Sequence, residues 1–173
     1  MDSRPIICVT GHRPNKLYGY DLNDSRYKEL ISLFKTFLRE QNCKEAISGM
    51  ALGVDVAFSL AVLELKNEGF DIKLHCASPC LNHSSKWFNK KDIDRYNHIL
   101  SLADTVVIVT EEEYKPYLMQ IRNQYMVDRA DIVLSVWDGS SGGTGNCVKY
   151  AEKKEKQRYN INPNVFPLEI KVV

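Results

Sequence analysis

Two glycine-rich segments carry the strongest chemical signal in this chain of 173 residues. One is Ser48-Gly49-Met50-Ala51-Leu52-Gly53. The other is Asp138-Gly139-Ser140-Ser141-Gly142-Gly143-Thr144-Gly145-Asn146. Each follows a short apolar run and precedes a helical stretch. Glycine lets the backbone turn tightly and approach a ligand closely. The first N–H groups of a helix lack partners within it and carry partial positive charge, so a strand, a glycine loop and a helix start together make an anion site. Glycine also serves ordinary turns, and either loop alone is compatible with that. Gly139, Gly142, Gly143 and Gly145 are more glycine than a turn needs. Neither loop reads G-x-x-x-x-G-K-[ST], and no G-x-G-x-x-G follows the first apolar run. Neither a P-loop ATPase nor a conventional NAD dehydrogenase is expected.

Other residue types offer narrower chemistry. His12 and Arg13 follow Gly11 directly. An arginine can fork two donors onto a phosphate and a histidine can add one, though a solvated turn with a salt-bridged Arg13 reads equally from the sequence. Asp55 either complements the dipole of the helix it starts or accepts a ribose hydroxyl. Trp137 can stack on a base or simply pack. Cys147 is placed at a helix start, where a thiol pKa can fall, but no base stands near it in sequence. His75, Cys76, Cys80 and His83 are possible metal ligands, yet adjacent His75 and Cys76 point to opposite faces of a strand, and no metal site is expected. Glu111, Glu112 and Glu113 read as a solvated loop, and the lysine-rich run Lys149–Arg158 as a solvated helix face.

These residues need elements to hold them. Short β-rich runs alternate with helical stretches, which predicts an α/β fold: one doubly wound, mostly parallel sheet flanked by helices. Strands are expected at 6–10, 45–48, 72–77, 105–109 and 132–137, with a last edge strand within 165–172. The continuous apolar run 105–109 suits a strand buried on both faces. Helices are expected after Asn23 or Asp24, where Leu30, Leu33, Phe34, Phe37 and Leu38 form a stripe, and over 53–67, 86–102, 116–129 and 147–157. In an open parallel sheet ligands bind beyond the carboxyl ends of the strands, and both glycine loops fall on that edge. No repeat, linker or low-complexity tract divides the chain, so residues 1–173 are read as one domain.

Net charge is +1, which gives no global reason for a nucleic-acid or membrane partner. The five cysteines do not resemble a disulfide framework. The N-terminal residues lack a signal-peptide stretch, and no run approaches the roughly 18 apolar residues that span a bilayer. A cytoplasmic location is therefore expected, with no membrane contact.

Thr10-Gly11-His12-Arg13, Ser48 to Asp55, Arg122-Asn123 to Asp128 and Gly142 to Asn146 occur in an order that resembles the SLOG superfamily. That superfamily includes the DNA-processing protein DprA and the Lonely guy phosphoribohydrolases. The likeness is greatest to its YpsA-like branch, found in Firmicutes and their phages. The resemblance implies a Rossmann-like fold, a site for a nucleotide or an NAD-derived molecule such as an ADP-ribose species, and pairing of copies. It implies ligand contact at Gly11, His12, Arg13, Ser48, Gly49, Met50, Ala51, Gly53, Asp55, Arg122, Asn123, Gly142, Gly143, Thr144, Gly145 and Asn146. On that reading an Arg122→Ala chain loses its ligand and keeps its thermal stability. The phosphoribohydrolase motif has a catalytic Glu where this chain has Lys149, a residue better suited to a phosphate than to an oxocarbenium ion. A sensing or sequestering role is therefore expected, with no residue assigned to catalysis and no cofactor beyond the ligand. The alternatives are an N-glycosidic hydrolase and a protein- or nucleic-acid-interaction module, with nucleic acid the less expected partner.

Overall fold

The computed structural model describes residues 2–173. Its elements run β1 (Ile6–Gly11), α1 (Ser25–Glu40), β2 (Glu45–Ser48), α2 (Val54–Asn67), β3 (Lys73–Ser78), α3 (Lys90–Leu102), β4 (Thr105–Ile108), α4 (Leu118–Arg129), β5 (Ile132–Val136), α5 (Gly143–Lys153), β6 (Gln157–Ile161) and β7 (Ile170–Val172), with a 3-10 turn at Pro14–Lys16. One sheet has the order β4-β3-β2-β1-β5-β6-β7. All neighbours are parallel except β6 and β7. This is the expected doubly wound α/β architecture. The chain steps outward from β1 to β4, then returns to place β5 on the free side of β1. The strand order reverses between β1 and β5, in register from Ile7↔Ile132 to Gly11↔Val136.

Alternation along the strands builds a core on each face. Ile7 and Val9 of β1 join Leu30, Phe34, Phe58 and Val62 of α1 and α2 in the larger core. Cys8, one residue away, joins Met126, Val127, Cys147 and Ala151 of α4 and α5 in the smaller. The predicted α1 stripe is buried at Leu30, Phe34, Phe37 and Leu38. Asp24 caps that helix by accepting the Arg26 N–H.

Four expectations change. The run at 105–109 is not buried on both faces: β4 is an edge strand, with Val106 and Ile108 each 45% exposed. An apolar run reports β propensity, not position in the sheet. The last helix begins at Gly143 instead of residue 147, so half of the presumed loop is helical and Cys147 lies inside α5. Helix α3 begins at Lys90 instead of residue 86, because the Asn89 side chain accepts the Lys91 N–H and fixes the start there. A strand unseen in the sequence, β6, lies at 157–161, where only Ile161 is fully buried and the run reads as polar. The 165–172 run contributes the short antiparallel edge strand β7, which starts after Pro167.

Candidate functional site

The carboxyl ends of β1 and β5 open into a cleft of about 280 Å³ at the point of strand-order reversal. Its walls come from Thr10 to Arg13 after β1, Asp55 at the start of α2, Arg122 and Asn123 of α4, and Ser140 to Gly145 around the start of α5.

The two glycine loops differ in what they offer. In the loop after β2 and the first turn of α2, several donors are taken within the protein. Met50 N–H donates to Ser48 Oγ at 3.2 Å and Ala51 N–H to Asp55 Oδ2 at 3.2 Å. Val54 N–H donates to the His12 carbonyl at 3.3 Å and Val56 N–H to the Ala51 carbonyl at 3.2 Å. Met50 is fully buried and Ser48 Oγ donates to the Asp55 carbonyl. The loop is thus braced at Met50 and Ala51, while the N–H groups of Gly49, Leu52 and Gly53 have no partner among the described residues. Gly53 permits the brace, with φ of +92° and a Cβ that would fall 2.7 Å from the His12 carbonyl oxygen.

The start of α5 behaves differently. No side chain caps it. Among the described residues, no acceptor takes the N–H groups of Gly142, Gly143, Thr144 or Gly145; the first N–H of this turn to be paired is that of Asn146, to the Gly142 carbonyl. Asn146 is exposed and is not among the residues lining the cleft. The preceding loop is self-supporting. Ser140 donates N–H and Oγ to Asp138 Oδ1 at 2.9 and 2.6 Å, and Trp137 Nε1 donates to the Ser140 carbonyl at 2.7 Å. The Trp137 ring thereby packs under Gly145 and lines neither this cleft nor the one beside it.

Four charged side chains border the cleft. Arg13 is exposed and, among the described residues, has no carboxylate within ion-pairing distance, so its salt-bridged reading does not hold. Lys16 Nζ reaches the Ser141 carbonyl at 3.5 Å and stands over Gly142. Arg122 is only 4% exposed. Its Nε donates to Asn123 Oδ1 at 2.9 Å and its Nη1 to the Gly49 carbonyl. The guanidinium lies so close on Gly49 that a Cβ there would sit 2.4 to 2.8 Å from it. Burial pushes the Arg122 pKa down, and the charge of Asp55 opposes that. Asp55, 5% exposed, is pushed up by burial, with Arg122 and the Ala51 N–H pulling it back. His12 is turned toward β5: its Nε2 lies 3.0 Å from Asp138 Oδ1 and 3.2 Å from the Asp138 backbone N, tying the two strand ends together. Asp138, held by the Ser140 donors first and His12 after them, titrates at about 2.

Other candidates fall elsewhere. Lys149 is exposed on α5 and lines neither cleft. Cys147 is buried, and burial pushes its thiol up to about 11. His75 is spent on Glu45 and Tyr125. Among the described residues no three His, Cys, Asp or Glu side chains gather as a metal site, and no helix is long and apolar enough to cross a membrane.

Sequence reasoning missed Asn15, Lys16, Met119, Ser140 and Ser141. It also missed a second cleft of about 440 Å³, which shares Arg13, Asn15, Ala51 and Met119 with the first. The signal for Lys16 was its place in the same turn as Arg13. The second cleft adds Tyr20, Asn82, His83, Lys86, Trp87 and Tyr114.

A doubly wound sheet with clefts beyond its carboxyl edge at the reversal point defines a Rossmann-like α/β domain. Residues 7–166 match the YpsA profile of the YspA SLOG family, and the chain belongs to that family. It is 31% identical over 156 residues to an uncharacterised SPbeta prophage-derived protein, YoqJ, of Bacillus subtilis strain 168, covering 82% of this chain and 91% of that one. It is 29% identical over 162 residues to a UPF0398 protein of Bacillus cereus strain B4264, covering 91% and 87%. Among solved structures it is similar to DNA processing protein A of Streptococcus pneumoniae, with a TM-score of 0.66 at 14% identity over 94% of this chain. It is similar also to DNA processing protein A of Helicobacter pylori, with a TM-score of 0.63 at 17% identity over 96%. This chain spans 52% and 68% of those two proteins.

Proposed function

We propose that the chain binds a phosphate-bearing, nucleotide-derived ligand at the start of α5 and acts by sensing or sequestering it. The observation that carries this reading is the run of four unpaired N–H groups at Gly142 to Gly145, at the positive end of a helix, beside Arg13 and Lys16. Unpaired main-chain donors on one helical turn suit a phosphate's oxygens, and two cations with no carboxylate partner among the described residues add attraction. Arg122 would contribute field across the cleft, since its Nε and Nη1 already have acceptors. Asp55 is the carboxylate available to a ribose hydroxyl on the same wall.

A second reading is an interaction with single-stranded DNA. The Helicobacter pylori neighbour is described by its single-stranded DNA binding mode, and the cations Arg13, Lys16 and Lys86 border adjoining clefts here despite the near-neutral total charge.

Calorimetric titration with nucleoside phosphates, ADP-ribose and a short single-stranded oligonucleotide separates the two. The leading reading expects the small phosphates to bind and an Arg13→Ala, Lys16→Ala double variant to weaken them at least tenfold, with the loss shrinking at high salt. Binding by the oligonucleotide alone would transfer the site to the second reading. No binding by any probe would reject both. Release of free base during incubation would make the protein a hydrolase, with Asp55 the first residue to replace.

A further inference from the structure

The second cleft holds a chemistry that a phosphate site does not use. Aromatic rings line it: His83 and Trp87 stand edge-on to each other with centroids 5.3 Å apart, and the buried Tyr96 packs edge-on behind both, at 5.7 and 5.1 Å. Tyr20 and Tyr114 border the opening, 59% and 37% exposed. His83 is 8% exposed and lines the cleft, yet its Nδ1 has no hydrogen-bond partner among the described residues. An unpaired polar atom in a protein interior is costly, and native structures usually satisfy it. That Nδ1 is enclosed, whereas Nε2, the other ring nitrogen, has no hydrogen-bond partner among the described residues and is not enclosed in the same way, so it is the atom the ring can offer to the cleft. Arg13, Asn15, Ala51 and Met119 line both clefts, so the aromatic cleft and the α5 cleft adjoin.

We propose that the two adjoining clefts act as a single bipartite site, in which the aromatic cleft holds the planar base of the same ligand whose phosphate sits at α5, with His83 reading the base's polar edge. The inference rests on the phosphate reading above and adds to it the class of ligand: a nucleotide, not a sugar phosphate or free phosphate. A base offers a flat apolar face for Trp87 and the tyrosines and a mixed donor and acceptor edge. A neutral imidazole can meet such an edge, since it carries one donor and one acceptor nitrogen. His83 is held neutral by burial first and by the charges of Arg122 and Arg13 after it, which keep its pKa down at about 3.

The test compares the four common ribonucleoside monophosphates with ribose 5-phosphate by calorimetry, on the natural chain and on Trp87→Leu and Trp87→Phe. At least one nucleoside monophosphate is expected to bind about 5- to 100-fold tighter than ribose 5-phosphate, the range that stacking of one base on an aromatic side chain gives. Trp87→Leu should erase that advantage while ribose 5-phosphate binding stays as it was, and Trp87→Phe should keep most of it. Equal binding of all five probes to the natural chain would overturn the bipartite site and leave the phosphate reading standing. An advantage untouched in a folded Trp87→Leu chain would also overturn it. If no probe binds, both fall. Should Trp87→Leu fail to fold, His83→Phe takes its place, with loss of discrimination among the four bases as the expected result and unchanged discrimination as the refuting one.

Discussion

At the scale of single residues, Arg122 is a structural tie as well as part of the cleft wall, with its guanidinium bound to the Gly49 carbonyl and to Asn123 Oδ1. That Arg122 lines the cleft was legible because its position follows the family pattern. Its role was not, because nothing in a sequence shows that a guanidinium will lie on a glycine carbonyl 73 positions away. The expectation that Arg122→Ala leaves stability untouched is therefore replaced. That substitution unpairs the Gly49 carbonyl and Asn123 Oδ1, and it strips Asp55 of a nearby positive charge. Urea denaturation of the free protein should show a loss of about 2–4 kcal/mol. Gly49→Ala should cost about 1–3 kcal/mol in the natural chain and far less when Arg122 is already alanine, a coupling that a double-mutant cycle reads directly. His83 carries a pH dependence whose sign follows from burial. Its pKa is lowered from 6.5 to about 3, so the unfolded chain takes up a proton that the folded chain refuses. Stability is full above pH 6.5 and falls as the pH drops toward 3. His83→Phe should flatten that part of the profile measured by thermal melts between pH 4 and 8.

At the scale of elements, the period of apolar residues placed α1, α2 and five of the strands well, because those elements are decided by burial of a stripe or a run. It failed where a different force sets the element. Strand β6 is held by ladder pairing to β5 and by Asn160, which accepts from Ser135 and donates to the Trp137 carbonyl, and polar residues that pair in this way leave no apolar trace. The start of α5 was hidden because glycine, serine and threonine read as loop although they begin a helix here. That misreading matters most for the site, since the free donors belong to the helix. It also suggests a clean test. Gly143 is the first residue of α5, and a Cβ there meets nothing within 4 Å. Proline is tolerated at this position and lacks the N–H. Gly143→Pro should therefore keep or slightly raise thermal stability, by up to about 1 kcal/mol, while weakening phosphate binding several-fold. A variant that melts as the natural chain does and binds as well would show that this N–H is not a donor to the ligand.

At the scale of the whole molecule, the fold class and the edge that carries the clefts were legible from the alternation of strands and helices alone. The aromatic cleft was not, because its parts come from the connection after β1, the connection after β3 and the segment before α4, and only the sheet brings them together. The same topology has a consequence in time. His12 and Asp138, which join the two halves of the cleft, are separated by 126 residues. Synthesis proceeds at roughly 5–20 residues per second, so the second half emerges roughly 6–25 s after the first. Through that interval β1, later the central strand of the sheet, has one unpaired edge and an uncovered face awaiting α4 and α5. A ribosome that pauses before Ile132 holds a nascent chain with neither a site nor a closed core. The proposed phosphate site therefore exists only after the first turn of α5 has been made.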